Sequence, residues 1–237
     1  MTGHPTLLAV AHGTADPNGL AEIRRLMNIV RTKRPDVPVE LCWLDRAQPS
    51  FAETLAALTG PVVVVPVLLS TGYHVKIDIT AVVAGRPLTA VAAQLGPDER
   101  ITEVVRQRLR PGRDADEDDV DVVLFASGSS DPEAAEQLRA VAGQLDRLLR
   151  ADAGPTRFKV HARTLTEPDG WLDGISERFD AANYLLAPGR FNDLLRSTTS
   201  PVGAGFIAPP IGAHPLVAAV IIDRYAEAAA LLPSGLG

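Results

Sequence analysis

The chain carries one pattern twice, which restricts it to folds that can be assembled from two copies of a single unit. TLLAVAHGTADP (6–17) returns as VDVVLFASGSSDP (120–132), VVVVPVLLSTG (62–72) as AANYLLAPG (181–189), and LGPDERITEVVRQRL (95–109) as IGAHPLVAAVIIDRY (211–225). The offset is 115 residues from His12 to Ser127, 117 from Gly72 to Gly189 and 116 from Gly96 to Gly212. Three landmarks in one order at one spacing mark a duplication. The 237 residues then divide into domains 1–113 and 120–237, each long enough for its own core. DADEDDVD (114–121) reads as a solvated acidic linker between them.

Within each copy, short apolar runs alternate with amphipathic ones. Residues 7–11, 39–44 and 62–69 read as strands, the last on its run of valines. Residues 18–34 read as a helix from the spacing of Leu20, Ile23, Leu26, Met27 and Val30, and Ser50 with Glu53 makes a capping box for a helix ending near 58. Helices follow over 77–84 and 99–110, with a short strand near 90–93. The second copy predicts strands at 122–126, 158–163, 183–187 and 205–207, and helices at 132–150, 171–179 and 215–232. Alternation of this kind implies α/β halves with parallel sheets and helices on both faces, and in such folds ligands sit at the carboxyl ends of strands.

Several classes of function drop out. A net charge of −6 leaves no basic stripe for nucleic acid. A single cysteine, Cys42, excludes an internal disulfide framework and a cysteine-cluster metal site. Neither G-x-G-x-x-G nor G-x-x-x-x-G-K-[ST] occurs, so dinucleotide and P-loop chemistry have no foothold. The N-terminus runs straight into strand-like sequence without a charged and then apolar leader, and no apolar run is long enough for a bilayer. Cytoplasmic residence, with no membrane partner, is the expectation.

Three residues stand out at predicted strand ends. His12 follows the first strand, with Gly13 allowing a sharp turn. His74 follows the third strand near a helix start, where the positive end of the helix dipole favours a neutral ring. Asp45 follows the second. Each histidine alone could be an ordinary hydrogen-bonded loop residue. Two imidazoles and one carboxylate from different strands could instead form an open site for a divalent ion, or accept protons. The second copy lacks all three: Ser127 aligns with His12, Phe191 with His74 and Thr164 with Asp45. Arg46, Lys76, Arg190 and Arg196 are candidate anion contacts. His214 is placed either as a ligand contact or as a helix-start residue, and His161 as a packed or hydrogen-bonded one.

These segments resemble the class II chelatases, in particular the sirohydrochlorin chelatase family. AHGTADP is similar to that family's (G/A)HG(S/T)xDP signature, WLDRAQPS to FLELAxPS, and VVVVPVLLSTGYHVKIDI to VVVPLFLxxGxHVxxDI. LLAPGRFND and GAHP resemble the second half of long, duplicated members. The resemblance covers essentially the whole chain. It implies two flavodoxin-like halves with a cleft between them and ATP-independent insertion of Fe²⁺ or Co²⁺ into sirohydrochlorin, in siroheme or cobalamin biosynthesis. His12 and His74 would be the catalytic and metal-binding pair. Asp45 falls where the family usually has Glu. Its carboxylate is shorter by about one carbon–carbon bond, so direct ligation and ligation through water are both open.

The substrate is a polycarboxylate, so basic side chains and backbone N–H groups are expected around it. Gly13, Thr14, Gly72, Tyr73, Lys76, Arg190 and His214 are the candidate substrate contacts. No cofactor is permanently bound on this reading; the divalent metal (Fe²⁺, Co²⁺ or Ni²⁺) is a substrate and the partner is a small tetrapyrrole. One duplicated chain suits a monomer, with a homodimer as the alternative. Competing readings are a chelatase for nickel or another tetrapyrrole, a non-catalytic tetrapyrrole or metal carrier, and a two-lobed small-molecule binding protein.

Overall fold

A computed structural model describes residues 4–70, 72–109, 119–129, 131–152, 157–166 and 172–233. The first sheet has strands β1 (Thr6–Ala11), β2 (Val39–Trp43), β3 (Val62–Pro66) and β4 (Thr89–Val91). They are all parallel, in the order β2-β1-β3-β4. The second sheet has β5 (Asp119–Ala126), β6 (Arg157–Thr164), β7 (Phe179–Asn183) and β8 (Ala204–Ile207), again parallel and in the equivalent order β6-β5-β7-β8. The fold class is therefore α/β with two parallel four-stranded sheets, as the alternating sequence pattern implies.

In the first sheet Leu7, Leu8, Ala9, Val10 and Ala11 are all buried, so side chains on both faces of β1 are covered. Leu8 and Val10 pack with Cys42, Val62 and Val64, with Phe51 and Leu55 of α2 (Phe51–Ala57), and with Ile79 of α3 (Tyr73–Val83). Helix α1 (Pro17–Lys33) starts at Asp16, whose carboxylate accepts the Asn18 N–H at 2.8 Å. Burial of Cys42 pushes its thiol up to about 12, so this residue is packing rather than a nucleophile. In the second sheet Val123, Phe125, Phe179 and Ala181 form a core with Leu195 of α6 (Arg190–Thr199).

The chain forms two compact units, but they are not the consecutive halves 1–113 and 120–237. One comprises Met1–Gly96 with Gly212–Gly237, the other Pro97–Ile211. Helix α4 (Glu99–Arg108), which follows the first sheet in sequence, packs on α5 (Pro132–Asp152) and β7. Its Ile101, Val104 and Val105 are fully buried, and the Thr102 hydroxyl donates to Gln144 Oε1 at 2.6 Å. Helix α7 (Pro215–Ala229), which ends the second copy, packs on α1, β3 and β4. Tyr225 donates its hydroxyl to the Pro5 carbonyl at 2.7 Å, and Arg224 reaches the Gln94 carbonyl at 3.1 Å. The copies have thus exchanged their last helices. Both are amphipathic with similar caps, so their own sequences do not say which sheet they cover.

Other departures have local causes. Helix α3 begins at Tyr73 rather than 77, because Gly72 is its N-cap. No helix is present at 172–178, where Gly174 turns at φ 76°; position 171 lies outside the described residues. The strand read at 183–187 is β7, four residues earlier, drawn there by pairing of Phe179 with Asp121. Helix α6 has no counterpart in the sequence reading, although α3 occupies its place in the first copy. Linker residues 114–118 lie outside the described residues, and Asp119–Asp121 belong to β5. Among the described residues no helix is long and apolar enough to cross a membrane.

Candidate functional site

His12 is the first residue beyond β1, Asp45 the second beyond β2, and His74 the second residue of α3, the helix that follows β3. Since β2, β1 and β3 are neighbours, the three residues follow the carboxyl ends of three adjacent strands. The first two are tied through the backbone. Beyond the last ladder pair, Ala11 with Trp43, the Leu44 N–H donates to the Ala11 carbonyl and the Asp45 N–H to the His12 carbonyl, each at 2.9 Å. Both side chains are exposed. The side chains of residues 73–77 lie outside the described residues, which covers the expectations for Tyr73, His74 and Lys76.

Gly13 makes this approach possible. It sits at φ 96°, and a Cβ built on it would lie 1.8 Å from the Asp45 carbonyl oxygen. Asp45 is engaged by its neighbour: Oδ1 accepts the Arg46 N–H at 2.7 Å and Oδ2 the Arg46 Nε–H at 3.2 Å. Arg46 itself is left-handed, at φ 58°. Leu44, Asp45, Arg46, Ala47, Gln48 and Ser50 line a shallow depression of about 350 Å³. Among the described residues, which do not include the His74 side chain, no group of three His, Cys, Asp or Glu side chains could hold a metal ion.

The remaining candidate contacts divide. Thr14 is part of the turn that starts α1, its hydroxyl accepting the Asp16 N–H at 3.1 Å. His214 is the N-cap of α7: Nδ1 accepts the Leu216 N–H at 3.2 Å, which puts the ring proton of a neutral imidazole on Nε2. It also belongs with the first unit rather than the second. Arg190 is exposed at the start of α6. His161 is the hydrogen-bonded residue its mid-strand position suggested, with Nε2 2.8 Å from Asp121 Oδ1. An ionised carboxylate only accepts, so His161 Nε2 is the donor. The pairing of Asp45 with Arg46 escaped the sequence reading; an acid and a base side by side in one short loop was the available signal.

The duplication supplies an internal comparison. In the second unit the Leu165 N–H donates to the Ala126 carbonyl at 2.9 Å, as Leu44 does to Ala11. Thr166, not Thr164, therefore stands in the place of Asp45; Thr164 pairs with Ala126 as Trp43 does with Ala11. A Cβ on Gly128 would meet Thr166 Oγ1 at 2.0 Å, the counterpart of Gly13 against Asp45. Ser127 follows β5 as His12 follows β1, and Phe191 is second in α6 as His74 is in α3. The backbone is repeated while the ionisable groups are not.

Residues 6–111, which include all three candidates, match the model of the CbiX family. A sirohydrochlorin cobaltochelatase of Methanosarcina acetivorans is 25% identical over 127 residues, 46% of this chain and 98% of that protein. A sirohydrochlorin ferrochelatase of Priestia megaterium is 29% identical over 147 residues, 57% of this chain and 55% of that protein. In fold the chain is similar to SirB from Bacillus subtilis with Fe³⁺, at a TM-score of 0.75 and 23% identity over 96% of both chains. It is also similar to CbiX, the terminal enzyme for biosynthesis of siroheme in denitrifying bacteria, at a TM-score of 0.68 and 16% identity over 94% of this chain and 99% of that one. The first half of the chain thus matches the CbiX family, and the relatives it is similar to in sequence are sirohydrochlorin chelatases.

Proposed function

We propose that this protein inserts a divalent metal, Fe²⁺ or Co²⁺, into sirohydrochlorin without ATP, in siroheme or cobalamin biosynthesis. One observation carries the reading. His12, Asp45 and His74 follow the carboxyl ends of adjacent parallel strands, within the segment that matches the family. The names of the two relatives, one a cobaltochelatase and one a ferrochelatase, support both metals.

Insertion needs a partly desolvated ion and a base for the two pyrrole protons. On this reading His12 and His74 hold the ion loosely and accept the protons, and Asp45 adds negative charge beside it. A closed four-ligand cage would retain the metal, so an open donor set suits an ion that must leave. The acidic side chains of the substrate are met by basic residues and backbone N–H groups, Gly13, Gly72, Lys76 and Arg190 being the candidates. The enzyme works in the cytoplasm as a monomer, since one chain already supplies both units; its mass by light scattering checks the second point.

Anaerobic incubation with sirohydrochlorin and Fe²⁺, Co²⁺ or Ni²⁺, followed by absorbance, tests the activity. The expected result is acceleration with Fe²⁺ or Co²⁺, reduced about 10²–10⁴-fold in His12→Ala and His74→Ala. No acceleration over the spontaneous reaction with any ion would sink the proposal.

A further inference from the structure

In this chain the candidate carboxylate is already taken. Both oxygens of Asp45 are occupied by Arg46, one by its N–H at 2.7 Å and the other by its guanidinium Nε–H at 3.2 Å. A cation approaching Asp45 meets an oxygen that is hydrogen-bonded and a positive charge a few ångströms away, both of which oppose binding. The contact is short-range by construction: Arg46 holds φ 58°, in a region that non-glycine residues seldom enter, immediately after the acid it pairs with. It is also easily exchanged. The two side chains are 62% and 61% exposed, and an exposed pair of this kind shifts an equilibrium by a factor of about 5 at most. Both line the same shallow depression, so a ligand entering it meets them together.

Here the sequence departs from the segment it resembles. Where the resembled segment reads Leu-Glu-Leu-Ala, this chain reads Leu44-Asp45-Arg46-Ala47. A shorter acid and an arginine occur side by side. A polycarboxylate substrate brings carboxylates that compete for a guanidinium, with the bidentate geometry that arginine favours.

We propose that Arg46 is a positioning residue that couples the two substrates: it masks Asp45 until a carboxylate of the tetrapyrrole takes the guanidinium, which releases Asp45 to the metal. The proposal rests on the chelatase reading and adds an order to it, tetrapyrrole before metal.

Calorimetric titration of Co²⁺ alone into the full-length protein reads the mask without turnover. Arg46→Leu is expected to bind Co²⁺ about 3- to 5-fold more tightly than wild type. In the Asp45→Asn background the same substitution is expected to give no gain. Binding of metal-free sirohydrochlorin, followed by its fluorescence, is expected to weaken several-fold in Arg46→Leu and less in Arg46→Lys. In steady state, KM for Co²⁺ falls while KM for sirohydrochlorin rises, whereas mere loosening of the loop would raise both. Unchanged Co²⁺ affinity in Arg46→Leu, a gain that survives Asp45→Asn, or no Co²⁺ binding by any variant overturns the mask, whatever the insertion assay reads. A wild-type protein that inserts no metal while the calorimetric gain persists overturns the chelatase reading and leaves the mask standing.

Discussion

What the two copies share at single residues is the chemistry of turning the chain, and what they do not share is the candidate chemistry of the site. Thr14 and Asp16 start α1 as Ser129 and Asp131 start α5, each hydroxyl accepting the aspartate N–H at 3.1 Å. Gly13 and Gly128 both take positive φ against the following strand end. The retained pattern makes Thr14 an element of the turn, with or without a substrate. It also orders three substitutions. Gly13→Ala meets a backbone carbonyl and is expected to cost about 2–4 kcal/mol. Gly128→Ala meets a threonine side chain that can give, and Gly60→Ala, at φ 81° with nothing within 4 Å, costs about 1–2 kcal/mol from the backbone alone. Urea midpoints falling in the order Gly60→Ala, Gly128→Ala, Gly13→Ala would bear this out; equal midpoints would not. Asp121 gives a second prediction. Burial alone would raise its carboxyl, but the Ser176 hydroxyl and N–H and His161 all donate to it and together hold it below the usual carboxylate range. A depressed folded value means that the ionised group stabilises the fold fully above the unfolded carboxylate range. That contribution is lost as pH falls through the folded value. The stability gap between wild type and Asp121→Asn should therefore be constant above about pH 5 and close below about pH 4.

At the scale of elements, caps decide where helices begin. Asp98 and His214 occupy the same position before α4 and α7, accepting the N–H two residues on. An imidazole acceptor works there only while Nδ1 is unprotonated. His214→Ala should lower stability by about 1 kcal/mol and His214→Asp should restore it, measured by thermal or urea unfolding. If the cap is its role, KM for sirohydrochlorin stays at the wild-type value in His214→Asp. A raised KM at restored stability would make His214 a substrate contact as well. Helix α6 shows the limit of reading elements singly: RFNDLLRSTT buries only Asn192, Leu195 and Thr199, too sparse a stripe to announce a helix by its periodicity. Its place in the repeat, equivalent to α3, was the stronger signal.

For the whole molecule, the exchange of α4 and α7 sets which pieces can fold. Residues 97–211 contain the second sheet together with the helix that covers it, so this fragment should unfold cooperatively by itself. Residues 120–237 lack α4 and carry α7 without the strands and helix it packs on. Three fully buried side chains, Ile101, Val104 and Val105, are missing from that fragment, each worth about 1.5–3 kcal/mol of burial. It should bind hydrophobic dyes and show no cooperative transition in calorimetry. Two-state unfolding of 120–237 would refute the exchange.

The amino-acid sequence by itself determined the strands except for the place of β7, their parallel class and the duplication, because runs such as VVVVP and alternation of apolar periodicity are local properties that survive in any context. It also determined which copy holds ionisable residues at its strand ends. Only the tertiary structure decided which sheet each terminal helix covers, that Thr166 rather than Thr164 stands opposite Gly128, and that Asp121 is a buried anchor rather than part of a linker. Each of these depends on a partner distant in the chain: Gln144 for α4, the Ala126 carbonyl for Leu165, Ser176 and His161 for Asp121. An amphipathic stripe records that a face is buried, and a charge records that it needs a partner, but neither records against what.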